Sequence, residues 1–266
     1  MKHLRGPKVY DYGYHEITTI DDKIHNCLMD FGILKMKEGD VFTEEQMLER
    51  AYLLISGKMV FEWEGNSVSV DRPNCFDYSP WVLHVANGVK VTFKAEGDVE
   101  IVVHRTENER TFPSKLYTPE ECASENRGAG TMRECSTRIV RTVFDYSNAP
   151  YSNLVVGEVI GFPGKWSSYP PHWHPQPEIY FYKFLPEQGY GFAELSEDVV
   201  KTHNNSTVFI SEKETHPQTT APGYAMWYLW AIRHLDGDPY ITPTFVDEHL
   251  WVTDSANEEK IWPPQK

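Results

Sequence analysis

The chain has 266 residues, of which 40% are hydrophobic, 14% aromatic and 24% charged, with a formal net charge of −14. This is the profile of a soluble globular protein large enough for one big or two smaller domains, and its acidity argues against nucleic acid while leaving room for a small anion in a local basic pocket. No segment approaches the ~20 apolar residues of a membrane helix, the N-terminal stretch MKHLRGPKVYDYGYHE lacks the apolar core of a secretory signal, and Cys27, Cys75, Cys122 and Cys135 form no CxxC pair, so a cytoplasmic protein with reduced, buried thiols and no membrane partner is expected.

In chain order, short runs rich in Val, Ile, Phe and Tyr read as strands at 51–55, 59–63, 67–70, 89–93 and 99–104. Ser56-Gly57, Glu64-Gly65-Asn66, Asn87-Gly88 and Gly97-Asp98 are the turns between them. Residues 112–137 are polar, carry Pro113, Pro119, Gly128 and Gly130, and read as a linker. Within it only 119–124 has a helical signal, with Thr118 as N-cap. The strand pattern resumes at 154–160, 178–184, 191–195, 206–210 and 224–233. Pro163-Gly164, Glu187-Gln188-Gly189 and Ala221-Pro222-Gly223 separate these strands. The result is an all-β chain with a module at 1–111, a linker at 112–137 and a second module at 138–266.

The stretch YPPHWHPQPEIYFY, residues 169–182, carries the chemistry. In an extended segment residues two apart point to one side, so His172 and His174 face together and Trp173 faces away. The turn at Pro175-Gln176-Pro177 returns Glu178 to the same centre. His216, in a turn before a neighbouring strand, is the expected fourth ligand. Three imidazoles and a carboxylate suit Zn²⁺, Fe²⁺, Mn²⁺ or Ni²⁺. The first half echoes the layout without the chemistry: counting back four and six from Glu49 gives Glu45 and Thr43. His84 reads as a core or turn residue of a module without metal ligands. His3, His15, His25, His104, His203 and His234 read as surface residues.

The His-x-His, three residues, Glu spacing with a later His resembles the cupin metal motif, and the two-module layout resembles a bicupin, two β-sandwich or jelly-roll barrels packed together. The wording is closer still to one family. KWSSYPPHWH (165–174), EIYFYKF (178–184), THPQTTAPGYAMWYL (215–229), RGAGTMRECSTRIV (127–140) and FDYSPWVLHV (76–85) resemble the 5-deoxy-glucuronate isomerases of myo-inositol catabolism. The related uronate isomerases of pectin breakdown share the fold and ligand types. The resemblance runs from about Leu53 to Val252.

It implies a metal-dependent aldose–ketose isomerase that converts 5-deoxy-D-glucuronate to 5-dehydro-2-deoxy-D-gluconate. One divalent ion is expected, Zn²⁺ first, with Mn²⁺, Fe²⁺ or Ni²⁺ as alternatives. Glu158, an acid in an apolar strand, is the expected base, its pKa raised by burial. Tyr180 and Tyr182 share the parity of Glu178 and would relay protons or bind hydroxyls. Arg141, Arg138 and Lys183 are the cations expected to face the carboxylate of the deoxyuronate. His249, with Trp251, would close the mouth of the site. The alternatives are an isomerase of 5-dehydro-4-deoxy-D-glucuronate, an Fe²⁺ dioxygenase and a non-catalytic sugar-binding cupin. Exposed strands and aromatic content are compatible with a homodimer.

Overall fold

The computed structural model describes residues 2–211 and 213–263. Met1, Glu212 and the last three positions of the expected second module lie outside the described residues. Two large antiparallel sheets organise the chain. One runs, in strand order, Lys115–Tyr117, Val82–Val85, Glu49–Trp63, Val99–Thr106, Asp30–Met36, Gly13–Thr18. The other runs His3–Arg5, Ser206–Ile210, Glu178–Leu185, Ala225–Arg233, Leu154–Gly161, Arg138–Phe144, Ala123–Arg127. Each closes over its own interior with shorter strands, Val41–Glu44, Asn66–Arg72 and Val91–Ala95 in the first module. In the second module a four-stranded sheet built on Tyr190–Leu195 does this. Among the described residues no helix is long and apolar enough to cross a membrane.

Strand alternation decides what each face does. On Glu178–Leu185, Tyr180, Tyr182 and Phe184 fill the interior of the second module. Ile179 and Phe181 point the other way. There they join Trp227 and Leu229 from the same sheet and Phe31, Leu53 and Val102 from the first module in one shared core. The two large sheets therefore pack face to face, and both faces of each are buried, as for a sheet sandwiched between layers.

That shared face also takes polar groups expected in the functional site. Glu158 is fully buried and has the parity of Leu154, Val156 and Ile160, which face the shared core. Arg72 from the first module donates to both of its oxygens at 2.7 and 2.9 Å, and Arg141 donates to one at 2.8 Å. Its carboxylate is committed to two guanidiniums and is no free base. Arg141 also donates to the carbonyls of Tyr78 and Phe76 at 2.8 and 3.1 Å. Lys183 bridges Glu100 at 2.5 Å and Asn205 at 2.6 Å. Glu158, Arg141 and Lys183 thus tie the modules together and do not face a substrate.

Other expectations change as well. The segment 112–137 supplies an edge strand to each large sheet. Of the expected helix at 119–124 only a single turn at 119–121 forms, closed by Glu121 N–H to Thr118 C=O at 3.1 Å, because pairing of Ala123–Arg127 with Arg138–Phe144 takes over at once. The strand His3–Arg5 crosses to the second module and pairs with Ser206–Ile210. Cys135 is exposed, while the other three thiols are buried. His104 and His234 are buried rather than at the surface. His104 donates from Nδ1 to the Ala51 carbonyl at 3.1 Å and meets the Phe31 ring edge-on.

Two consequences are measurable. Glu158→Gln leaves two buried guanidiniums without counter-charge and is expected to cost about 3–5 kcal/mol, read as a lower urea midpoint. Burial pushes His104 down from 6.5 to about 4. Its folded value lies below its unfolded one, so its contribution is complete above pH 6.5 and is lost as pH falls toward 4. The thermal midpoint should fall across that window, and His104→Leu should flatten the slope.

Candidate metal centre

Three elements bring the ligands together. The short strand His172–Trp173 is held extended by pairing with Thr244–Phe245. Glu178 opens the central strand Glu178–Leu185, with its side chain on the interior face. His216 lies on the loop just before the strand Gln218–Thr220. Nε2 of His174 and Nε2 of His216 stand 3.2 and 3.3 Å from the same Glu178 oxygen. The ligand atoms of His174, Glu178 and His216 all lie within 4.8 Å of one another. The His172 ring lies edge-on to that of His216, 4.8 Å between centroids, and lines the same cavity.

Each imidazole is oriented by a carbonyl two residues away. Nδ1 of His172 donates to Pro170 O at 3.0 Å, that of His174 to Gln176 O at 2.8 Å, and that of His216 to Glu214 O at 2.8 Å. A carbonyl can only accept, so Nδ1 carries the proton and Nε2 keeps its lone pair, the tautomer a metal needs. Burial pushes the three rings down to about 4, 4 and 3, so near neutral pH they are uncharged. Burial also pushes Glu178 up to about 7, against the pull of His216 and a hydrogen bond from Tyr180. Lone pairs of two imidazoles therefore converge on a carboxylate in a dry setting. Such a donor set is poorly compensated by itself and fits a divalent metal ion.

A cavity of about 390 Å³ opens on this cluster. Ser168, Tyr180 and Tyr228 form a hydroxyl-bearing side, and Val140, Val159 and Trp230 form an apolar side. The apolar side needs Gly157: a Cβ there would come within 2.3 Å of the Trp230 ring. Arg138 also lines the cavity, with Nη1 donating to Ser136 O and Oγ at 2.8 and 2.9 Å. Among the described residues no carboxylate lies within ion-pair distance of this buried guanidinium.

Of the residues read from sequence, the structure gathers His172, His174, Glu178, His216, Tyr180 and Arg138 around one cavity. Tyr182 shares their side of the sheet but sits deeper; it is fully buried and donates to Gln218 Oε1 at 2.5 Å, away from the cavity wall. His249 stands on the short helix Asp247–Thr253 beside Glu248, clear of the cavity. Sequence reading missed Ser168, Tyr228, Trp230 and Tyr240. Tyr228 and Trp230 alternate with the core residues Trp227 and Leu229, a period-two signal that could have found them. The Tyr240 ring meets His174 at 4.8 Å from a loop that carries no periodic signal.

Two face-to-face all-β modules, one with a histidine-rich centre in its interior, define a bicupin. The chain belongs to the KduI/IolB family, which it matches over residues 7–252. It is 28% identical over 233 residues to the 5-deoxy-glucuronate isomerase of Bacillus subtilis (strain 168), covering 81% of this chain and 84% of that one. It is 29% identical over 250 residues to the 5-deoxy-glucuronate isomerase of Geobacillus kaustophilus, covering 85% and 86%. Among solved structures, an IolB-like protein from Salmonella typhimurium superposes with a TM-score of 0.85 at 20% identity, over 95% of this chain and 99% of that one. An oxalate decarboxylase from Lactobacillus farciminis superposes with a TM-score of 0.67 at 10% identity, over 97% and 91%. These last two likenesses concern the fold.

His174→Ala and His216→Ala are each expected to remove bound metal, measured by elemental analysis of the purified protein, while the far-ultraviolet circular dichroism stays unchanged.

Proposed function

We propose that the chain is a metal-dependent isomerase that converts 5-deoxy-D-glucuronate to 5-dehydro-2-deoxy-D-gluconate, an aldose–ketose isomerisation. The observation that carries this reading is one cavity with a His/Glu centre and, on its wall, a buried guanidinium that has no carboxylate partner among the described residues. A sugar acid has the groups that answer both: adjacent carbonyl and hydroxyl oxygens, and a carboxylate. The cavity volume suits a small ligand, and the two sequence relatives named above are 5-deoxy-glucuronate isomerases.

His172, His174, Glu178 and His216 would hold the ion. A bound divalent cation supplies Lewis-acid polarisation of the carbonyl, for which non-redox Zn²⁺ or Mn²⁺ suffices. Arg138 receives the substrate carboxylate through its planar fork, and its position fixes which way the sugar lies. Tyr180, whose hydroxyl lies beside Glu178, hydrogen-bonds the reacting end. Val140, Val159 and the ring carbons of Trp230 give the cavity an apolar surface, an environment that suits a deoxygenated carbon.

The test is nuclear magnetic resonance of 5-deoxy-D-glucuronate mixed with metal-analysed protein. Signals of the 2-deoxy ketone are expected. An inert mixture, with turnover of 5-dehydro-4-deoxy-D-glucuronate instead, would move the activity to the pectin-type uronate. Tight binding of either acid without turnover would leave a binding protein. Arg138→Gln should raise KM roughly 10- to 100-fold, the worth of a charged hydrogen bond, with Arg138→Lys between it and the parent.

A further inference from the structure

Four hydroxyl groups form an unbroken row beside the metal ligands. Tyr228 Oη donates to Ser167 Oγ at 3.0 Å and lies 3.2 Å from Ser168 Oγ. Ser168 Oγ lies 3.2 Å from Tyr180 Oη. Ser168, Tyr180 and Tyr228 all reach the cavity. Three separate segments build the row: the strand Trp166–Ser167 and the residue after it, the strand Glu178–Leu185, and the strand Ala225–Arg233. The two tyrosine rings pack together with centroids 4.7 Å apart.

Stability alone does not explain the row. Phenylalanine would fill the ring positions without burying hydroxyls that must then be satisfied. Ser168 is held at φ +51°, a left-handed conformation that is uncommon outside glycine. Strain of this kind is retained where surrounding structure has a use for the side chain, and here that side chain bridges both tyrosines. Each hydroxyl is donor and acceptor at once, so a row of them can pass a proton while every member stays neutral.

Resting on the isomerase reading, we propose that Ser168 and Tyr228, continuous with Tyr180, carry the hydroxyl proton of the sugar from O2 to O1. In the isomerisation the C2–H bond breaks and a C1–H bond forms. At the same time the O2–H pair becomes the C2=O π bond, the pair of the C2–H bond ends in the new C1–H bond, and the C1=O π pair moves onto O1, which gains a proton. The row takes the proton released at O2 and delivers one to O1. Each hydroxyl loses one proton and receives one, and no oxidant or reductant is consumed.

The experiment compares the parent with Tyr228→Phe, Ser168→Gly and the double variant on 5-deoxy-D-glucuronate. Ser168→Gly relieves the backbone strain while deleting the hydroxyl, so loss of activity there is not loss of fold. Expected are unchanged metal content and KM, kcat lower by about 100-fold, within the usual range for proton-transfer groups, and a double variant no worse than either single one. The rate against deuterium fraction in the solvent should be bowed for the parent and linear for Tyr228→Phe. A parent that turns over normally with undiminished kcat in Tyr228→Phe, or single effects that multiply in the double variant, overturns the relay alone. A parent that never turns over the acid overturns the isomerase reading and the relay with it.

Discussion

The period-two alternation of the second large sheet, buried on both sides, is the constraint on which the site depends. One set of side chains is given to the interior that holds the cavity and the other to the seam between modules. Along Glu178–Leu185 this sends Glu178 and Tyr180 to the cavity and Ile179 and Phe181 to the shared core. Along Arg138–Phe144 it sends Arg138 and Val140 to the cavity and turns Arg141 toward the seam. Because both faces carry packing, the strand cannot slip by one residue without exchanging the two sets. Glu178 is therefore held as firmly as the core, and the three imidazoles beside it are oriented by their Nδ1–carbonyl bonds.

The first module shows what the same architecture does without a His/Glu cluster in its interior. Its central strand, Glu49–Trp63, occupies the place in its sheet that Glu178–Leu185 occupies in the other. The interior position at its start is Arg50, followed by Tyr52. Arg50 donates to the Leu48 carbonyl at 3.2 Å and reaches the Glu44 carboxylate at 3.9 Å. Arg105 pairs with the same carboxylate at 2.6 Å. Fixed side-chain cations thus stand where the second module arranges neutral donors around a carboxylate. A buried acid of this kind must be matched by positive charge from some source.

Much of the site was legible because three of its four expected metal ligands lie within seven consecutive residues, 172–178. Spacing alone made them a cluster, and a His before a later strand completed it. The strand pattern made the all-β class legible for the same local reason. What could not be read was the face. Glu158 looked like a base because an acid in an apolar strand is unusual, yet its neighbours are apolar on both sides of the sheet, so alternation carried no polar mark of the cavity. Its partner Arg72 lies 86 residues away, and no local signal links the two. The strand Ala123–Arg127 is exposed and polar, so only its long-range pairing defines it. Ser168 and Tyr240 sit on loops, where periodicity has nothing to say.

The shared core joins the fates of the two halves. Were the chain parted at its middle, each piece would present a broad greasy wall to water, patterned to fit only its sibling, and would meet strangers before it met its mate. Modules joined in this way lose their independence: a larger residue on one wall demands a smaller one opposite. The half without the His/Glu cluster is thereby retained as a scaffold that evolution can neither discard nor freely rewrite.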